Sequence, residues 1–200
     1  MFIQFFLDGY DSVAMSLAFT LHFLALNADV QEKAYEEVLE VDEKYGGNLN
    51  VDSMNDLKYI DNIFSETMRL TPFPFTFRYC TKDWKMAGTN VTIPKGMRVI
   101  IPLQAIQRDP KHFPDPERFD PDRFEKRSNI KAGTYLPFGG GPRQCVGMQL
   151  AHLEAKILLH HIIKRYYIEP CDKTLRNIQL SDFSPNFYLK EGSWVKFARR

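Results

Sequence analysis

Phe138-Gly139-Gly140-Gly141-Pro142-Arg143-Gln144-Cys145-Val146-Gly147 is the most informative stretch of this 200-residue chain. It sets a cysteine in a glycine-rich turn just ahead of a segment with helical periodicity. A thiol beside a helix N-terminus meets unpaired N–H groups and the positive end of the helix dipole, which favour the thiolate. A thiolate is a soft ligand for iron, haem iron included. Consecutive glycines, which lack Cβ atoms, let the backbone lie flat against a large planar partner. Arg143, two residues before the cysteine, can offer a charge-assisted fork to a carboxylate. A phosphate-binding loop and an ordinary structural cysteine are the competing readings. The first is weak, because the stretch lacks a Gly-Lys-Ser/Thr ending and follows no clear strand.

Upstream, Leu57, Ile60, Ile63, Phe64 and Met68 recur at spacings of three and four, which predicts a helix with one apolar face. Glu66 and Arg69 are then three apart on that helix and close enough to pair. Between this helix and the cysteine lies Phe113-Pro114-Asp115-Pro116-Glu117-Arg118-Phe119-Asp120-Pro121-Asp122-Arg123-Phe124. Its prolines exclude a helix interior or a central strand, and its aromatics require burial. At the other end, residues 2 to 26 are largely apolar but for Asp8-Gly9-Tyr10-Asp11-Ser12. An Asp-Ser pair there reads either as a cap between two helices or as a polar patch within one. The apolar residues on both sides favour a single helix.

The pattern Phe-x-x-Gly-x-Arg-x-Cys-x-Gly is met at Phe138, Gly141, Arg143, Cys145 and Gly147. It resembles the haem-thiolate loop of the cytochrome P450 superfamily, and Glu66-x-x-Arg69 and the proline-rich stretch follow that family's order and approximate spacing. The resemblance covers nearly all 200 residues but only the C-terminal half or less of a family member. It implies a mainly α fold with a small β component: the central helix, the Glu-x-x-Arg helix, the meander, the haem-thiolate loop and the helix after it. Residues 1–200 are then expected to be one partial domain, lacking an N-terminal portion and membrane anchor. Such a piece would expose apolar interior and be inactive by itself.

The resemblance also implies roles. Cys145 would be the axial ligand of haem b, held as well by Phe138, Gly141, Arg143, Gly147 and Arg78. Glu66, Arg69 and Arg118 would form a buried structural ion cluster, where losing one member costs about 3–5 kcal/mol. Asp11 and Ser12 would relay protons for O–O cleavage, with Asp8, Phe75 and Thr76 lining the substrate space. Three positions depart from the family pattern. Ser12 stands where threonine is usual, keeping the hydroxyl but losing the methyl that restricts its rotamer. Asp8 replaces alanine or glycine, which points to a pocket for polar or cationic substrates, to uncoupled proton delivery or to a defective copy. Gln149 replaces a common arginine.

The rest of the chain supports a helical body with a small sheet. Asn27 or Asp29 caps a helix running to about Tyr45, with Asp29 and Glu32 at capping-box spacing and Gly46-Gly47 as the stop. Thr71 to Phe77 is extended and aromatic. Strands are expected at Lys85–Ala87, Val91–Ile93 and Met97–Ile101, with turns at Gly88-Thr89-Asn90 and Pro94-Lys95-Gly96. After Cys145 a helix is expected to about Tyr166, burying Leu150, Leu153, Ile157, Leu158 and Ile162. Phe183 to Tyr188 reads as a hairpin tip touching substrate.

Composition bounds the remainder. A formal net charge of +1 gives no reason to expect nucleic acid. Three cysteines without metal-site spacing argue against a disulfide framework and for a reducing compartment. Cys80 and Cys171 read as idle thiols, and His160 and His161 show no ligand pattern. No signal peptide and no run of 18 apolar residues is present, so no membrane span is expected within the chain.

The function implied by the resemblance is a haem-thiolate monooxygenase that puts one oxygen atom of O2 into a hydrophobic small molecule. Its partners would be an NADPH-cytochrome reductase and, through the missing anchor, the cytosolic face of the endoplasmic reticulum membrane. Insect xenobiotic-metabolising members are the nearest in character. A haem-thiolate isomerase or dehydratase and a non-catalytic truncated remnant are the alternatives.

Overall fold

The computed structural model describes residues 2–176 and 192–200. Six α-helices and three two-stranded antiparallel sheets are present among them. The expected hairpin tip at Phe183–Tyr188 lies outside the described residues.

Helix α1 runs unbroken from Phe2 to Leu26, so Asp11 and Ser12 sit within it rather than at a cap. By length and composition its stretch Asp8–Leu26 is long and apolar enough to cross a membrane, although it holds no unbroken run of 18 apolar residues. Its C-terminal turns are core, however: Phe19, Thr20, His22, Leu24 and Ala25 are buried. Ser12, Ser16 and Thr20 each donate to the carbonyl four residues back. Thr20 is also bonded to Thr67, at 3.2 Å.

Helix α2, Ala28–Tyr45, ends as expected, with Gly46 in the left-handed region at φ 62°. Its start differs. Asn27 is the cap residue, and its amide turns back to the Phe23 carbonyl, so no Asp29–Glu32 box forms. A reciprocal capping box occurs instead between Asn50 and Ser53, at the head of α3, Val51–Asp56. Helix α4, Lys58–Leu70, begins at Leu57, which offers no capping side chain. Glu37 of α2 supplies one, accepting from the Tyr59 and Ile60 amides at 2.6 and 3.0 Å. Leu57, Ile60, Ile63, Phe64 and Met68 are all buried, as their spacing requires.

Strand β1, Thr76–Tyr79, pairs with β4, Arg98–Ile101, and β2, Trp84–Lys85, pairs with β3, Thr92–Ile93. Helix α5, Leu103–Gln107, follows β4. Helix α6, Met148–Arg165, leads into β5, Tyr166–Pro170, which pairs with β6, Val195–Arg199.

The buried face of α6 is not the predicted one. Ala151, Ala155, Leu159, His160 and Ile163 are buried, whereas Leu150, Leu153, Ile157 and Leu158 are exposed. The helix is apolar on more than one side, so periodicity could not choose between faces. Two alanines on the inner face leave room for α4, and His160 meets Asp42 of α2 at 2.8 Å. His161, by contrast, lies outside against Arg165.

Candidate functional site

Cys145 follows a 3-10 turn at Gly141–Arg143 and precedes α6, whose cap residue is Gly147. Its thiol is free and exposed. The backbone around it is pinned: the Cys145 N–H donates to Phe138 O at 2.8 Å, and the Gly139 N–H to Leu136 O at 2.9 Å. Gly139 and Gly141 hold φ of 74° and 73°, a region that L side chains rarely adopt. Phe138 is half-buried, its ring 5.4 Å from that of His152 on α6. With Leu17 of α1, Phe138 packs against Phe64, Met68 and Ala155. The loop is thus seated on α4 and α6.

Arg78 extends from β1 toward this loop. A Cβ built on Gly139 would lie 3.8 Å from its Nη2, while Nη1 donates to Thr76 Oγ1 and Phe77 O. Arg78 and Thr76 are half-buried, and Phe75 and Arg143 are exposed. On α1, Asp8 and Ser12 are exposed and Asp11 is half-buried. The Ser12 hydroxyl donates to its own helix, to Asp8 O at 2.5 Å.

The ion cluster lies behind the loop. Arg69 forks onto Glu66 at 2.6 and 2.9 Å, with both side chains fully buried. The predicted third member is corrected. Arg118 is exposed and contributes only its carbonyl, which accepts from Arg69 Nη2 at 3.3 Å. Arg123 takes the place, its Nε 3.4 Å from Glu66 Oε1. The reason is the path of the proline-rich strap, where Asp115 adopts φ 50°. A 3-10 turn follows at Pro121–Phe124, and Arg123 bonds back to the Pro114 and Asp115 carbonyls. The Asp120 N–H adds a bond to Glu66 at 2.9 Å. Burial pushes the Glu66 carboxyl upward, opposed by Arg69, the Asp120 N–H and Arg123.

Two supports escaped the sequence reading. Asp61 of α4 collects Arg127 at 2.6 Å, His152 at 2.8 Å and Lys156 at 3.6 Å. Burial alone would raise the Asp61 carboxyl; its bond to His152 and the charges of His152, Lys156 and Arg127 bring it below its ordinary value. Gln107, fully buried, joins the end of α4 to the loop at Leu136. A carboxylate amid cations was visible in composition only as scattered charge, and a glutamine on a short helix gave no signal at all.

These residues suit a planar, dianionic iron cofactor. One accessible soft donor stands on a glycine-rich loop that brings no side chain beyond Pro142 and Arg143 between Phe138 and Gln144. Two guanidinium groups, of Arg78 and Arg143, lie beside and within that loop.

Residues 1–192 match the protein-family model described as Cytochrome P450. Cytochrome P450 9e2 of Blattella germanica is 38% identical over 202 aligned residues, which cover 99% of this chain and 38% of that protein. Cytochrome P450 6B1 of Papilio polyxenes is 34% identical, covering 100% of the chain and 41% of its own length. Cytochrome P450 3A41 of Mus musculus is 38% identical, with 90% and 36% covered. The chain spans about 38% of the length of the first curated relatives it matches.

Proposed function

The chain belongs to the cytochrome P450 family, and from that premise we propose that the full-length protein is a haem-thiolate monooxygenase of hydrophobic organic molecules. The observation that carries this reading is the exposed thiol of Cys145 on a glycine loop seated against the buried Glu66–Arg69 helix.

Haem b, when bound, supplies the activation of O2 and the transfer of one oxygen atom to a C–H bond, using electrons from a reductase. Cys145 would hold its iron through sulfur, and Phe138, Gly141 and Gly147 shape the loop that presents that sulfur. Arg143 and Arg78 would hold the haem propionates with charge-assisted bonds. Ser12 and Asp11 would hold and pass the protons that this chemistry consumes. The Ser12 hydroxyl, now bonded to Asp8 O, must rotate off that carbonyl to do so, which its single-branched side chain permits. Phe75, Thr76 and Asp8 would line the substrate space. Glu66, Arg69 and Arg123 hold the scaffold; Arg118 serves through its carbonyl.

The wider setting completes the proposal: an NADPH-cytochrome reductase as electron donor, and the endoplasmic reticulum membrane, cytosolic face, as location. The test is a reduced carbon-monoxide difference spectrum on the full-length protein. A strongly red-shifted Soret band, lost in Cys145→Ala, is expected. Folded protein without any haem band would overturn the reading, and product formed without a reductase would favour an isomerase or dehydratase.

A further inference from the structure

We propose that Gln107 is a positioning residue for the cysteine loop, its buried carboxamide fastening the Leu136 amide to the last turn of α4. The functional meaning rests on the monooxygenase reading; the mechanical one does not.

Gln107 ends α5 and has no exposed surface. Its Nε2 donates to the Met68 and Arg69 carbonyls, both at 3.1 Å. Its Oε1 accepts from the Leu136 N–H at 2.7 Å, and its backbone carbonyl accepts from Arg69 Nη1 at 2.9 Å. The partners fix the orientation of the amide: flipped, it would set its oxygen against two carbonyl oxygens and its NH2 against an N–H. Met68 and Arg69 lie in the final turn of α4, where carbonyls have no helical partner. One side chain therefore satisfies two helix-end acceptors and grips the loop.

The grip lies close to Cys145. Leu136 O receives the Gly139 N–H, and Phe138 O receives the Cys145 N–H. Arg69, whose guanidinium holds Glu66, is bonded to Gln107 through both its backbone carbonyl and its side chain. Gln107 is thus where the buried ion pair and the sulfur-bearing loop meet. Its bonds set where the loop begins, and so where the sulfur stands.

Hydrogen exchange on the full-length wild-type protein comes first. A protected Leu136 amide is expected, and exchange at the rate of an unstructured peptide overturns the proposal. Gln107→Met keeps the volume and the backbone carbonyl used by Arg69, and removes the three side-chain bonds. Leu136 should then exchange about five- to tenfold faster, the scale of one net hydrogen bond. The thiolate-type band of the reduced carbon-monoxide complex should partly give way to the band of a neutral-thiol or displaced ligand. Wild-type exchange together with a wild-type band in this variant overturns the proposal.

Gln107→Glu covers the case in which the Met variant does not fold. Protonated, its carboxyl donates to one carbonyl and accepts from Leu136; ionised, it faces two carbonyl oxygens. The band should therefore be rescued at acid pH and lost as pH rises, and a pH-independent wild-type band overturns the idea. If even the wild-type protein takes up no haem, the monooxygenase reading fails. Leu136 exchange and the rate at which a disulfide reagent attacks Cys145 in the haem-free protein then still decide the role of Gln107.

Discussion

The Arg69 guanidinium clasps the Glu66 carboxylate with Nε–Oε2 at 2.6 Å and Nη2–Oε1 at 2.9 Å, and neither side chain reaches solvent. A pair this deep is tolerable because the guanidinium also donates to the Gln107 and Arg118 carbonyls. Arg69→Ala strands a buried carboxylate and should cost about 3–5 kcal/mol, measured by denaturant unfolding of the full-length protein.

Arg123 and Arg118 separate cleanly in the same measurement. Arg123→Ala removes an ion pair to Glu66 and two bonds that close the strap. Arg118→Ala leaves in place the carbonyl that Arg69 uses, so its cost should stay within about 0.5 kcal/mol. Equal losses for the two would refute the assignment of Arg123.

Asp61 makes stability depend on acid. Its carboxyl sits below its ordinary value in the folded protein because the His152 bond and the electrostatic pull of His152, Lys156 and Arg127 outweigh burial. A depressed folded value means that its contribution is complete above the ordinary carboxylate range, about pH 4, and is lost as pH falls through the lower folded value. The melting temperature of wild type should fall more steeply below about pH 4 than that of Asp61→Asn.

Glu37 caps a helix that is not its own. Glu37→Ala leaves the Tyr59 and Ile60 amides unpaired at the start of α4, for a loss of about 1–2 kcal/mol. Lys58→Ala, at the exposed first residue of that helix, should change little. Chemical denaturation of both variants measures the difference.

Ala155 tests the inner face of α6. It is fully buried beside Phe64 and Met68, so Ala155→Leu overpacks the contact with α4 and should cost about 1–3 kcal/mol. No loss of melting temperature would mean that α6 packs by its other, leucine-rich side.

Much of this was legible in one dimension. The cysteine loop, the apolar face of α4, the Glu66–Arg69 spacing and the stop at Gly46 are each set within a few residues by helix pitch or glycine stereochemistry. The strap was legible only as a strap. Pro116-Glu117-Arg118-Phe119 and Pro121-Asp122-Arg123-Phe124 are the same pattern five residues apart, and nothing local says which arginine turns inward. The face of α6 was undecidable for a like reason, since apolar residues occur on both sides of it.

Local spacing sets the four long helices, α1, α2, α4 and α6, together with the family and the cysteine, because these rest on short-range periodicity and on a motif whose positions lie within ten residues. Tertiary structure alone decided that Arg123 meets Glu66, that Glu37 caps α4 and that Gln107 holds the loop. Each of those contacts joins residues 22 to 57 positions apart. Such partners are chosen by how the strap and helices pack, and by the requirement that buried polar groups be satisfied wherever packing brings them.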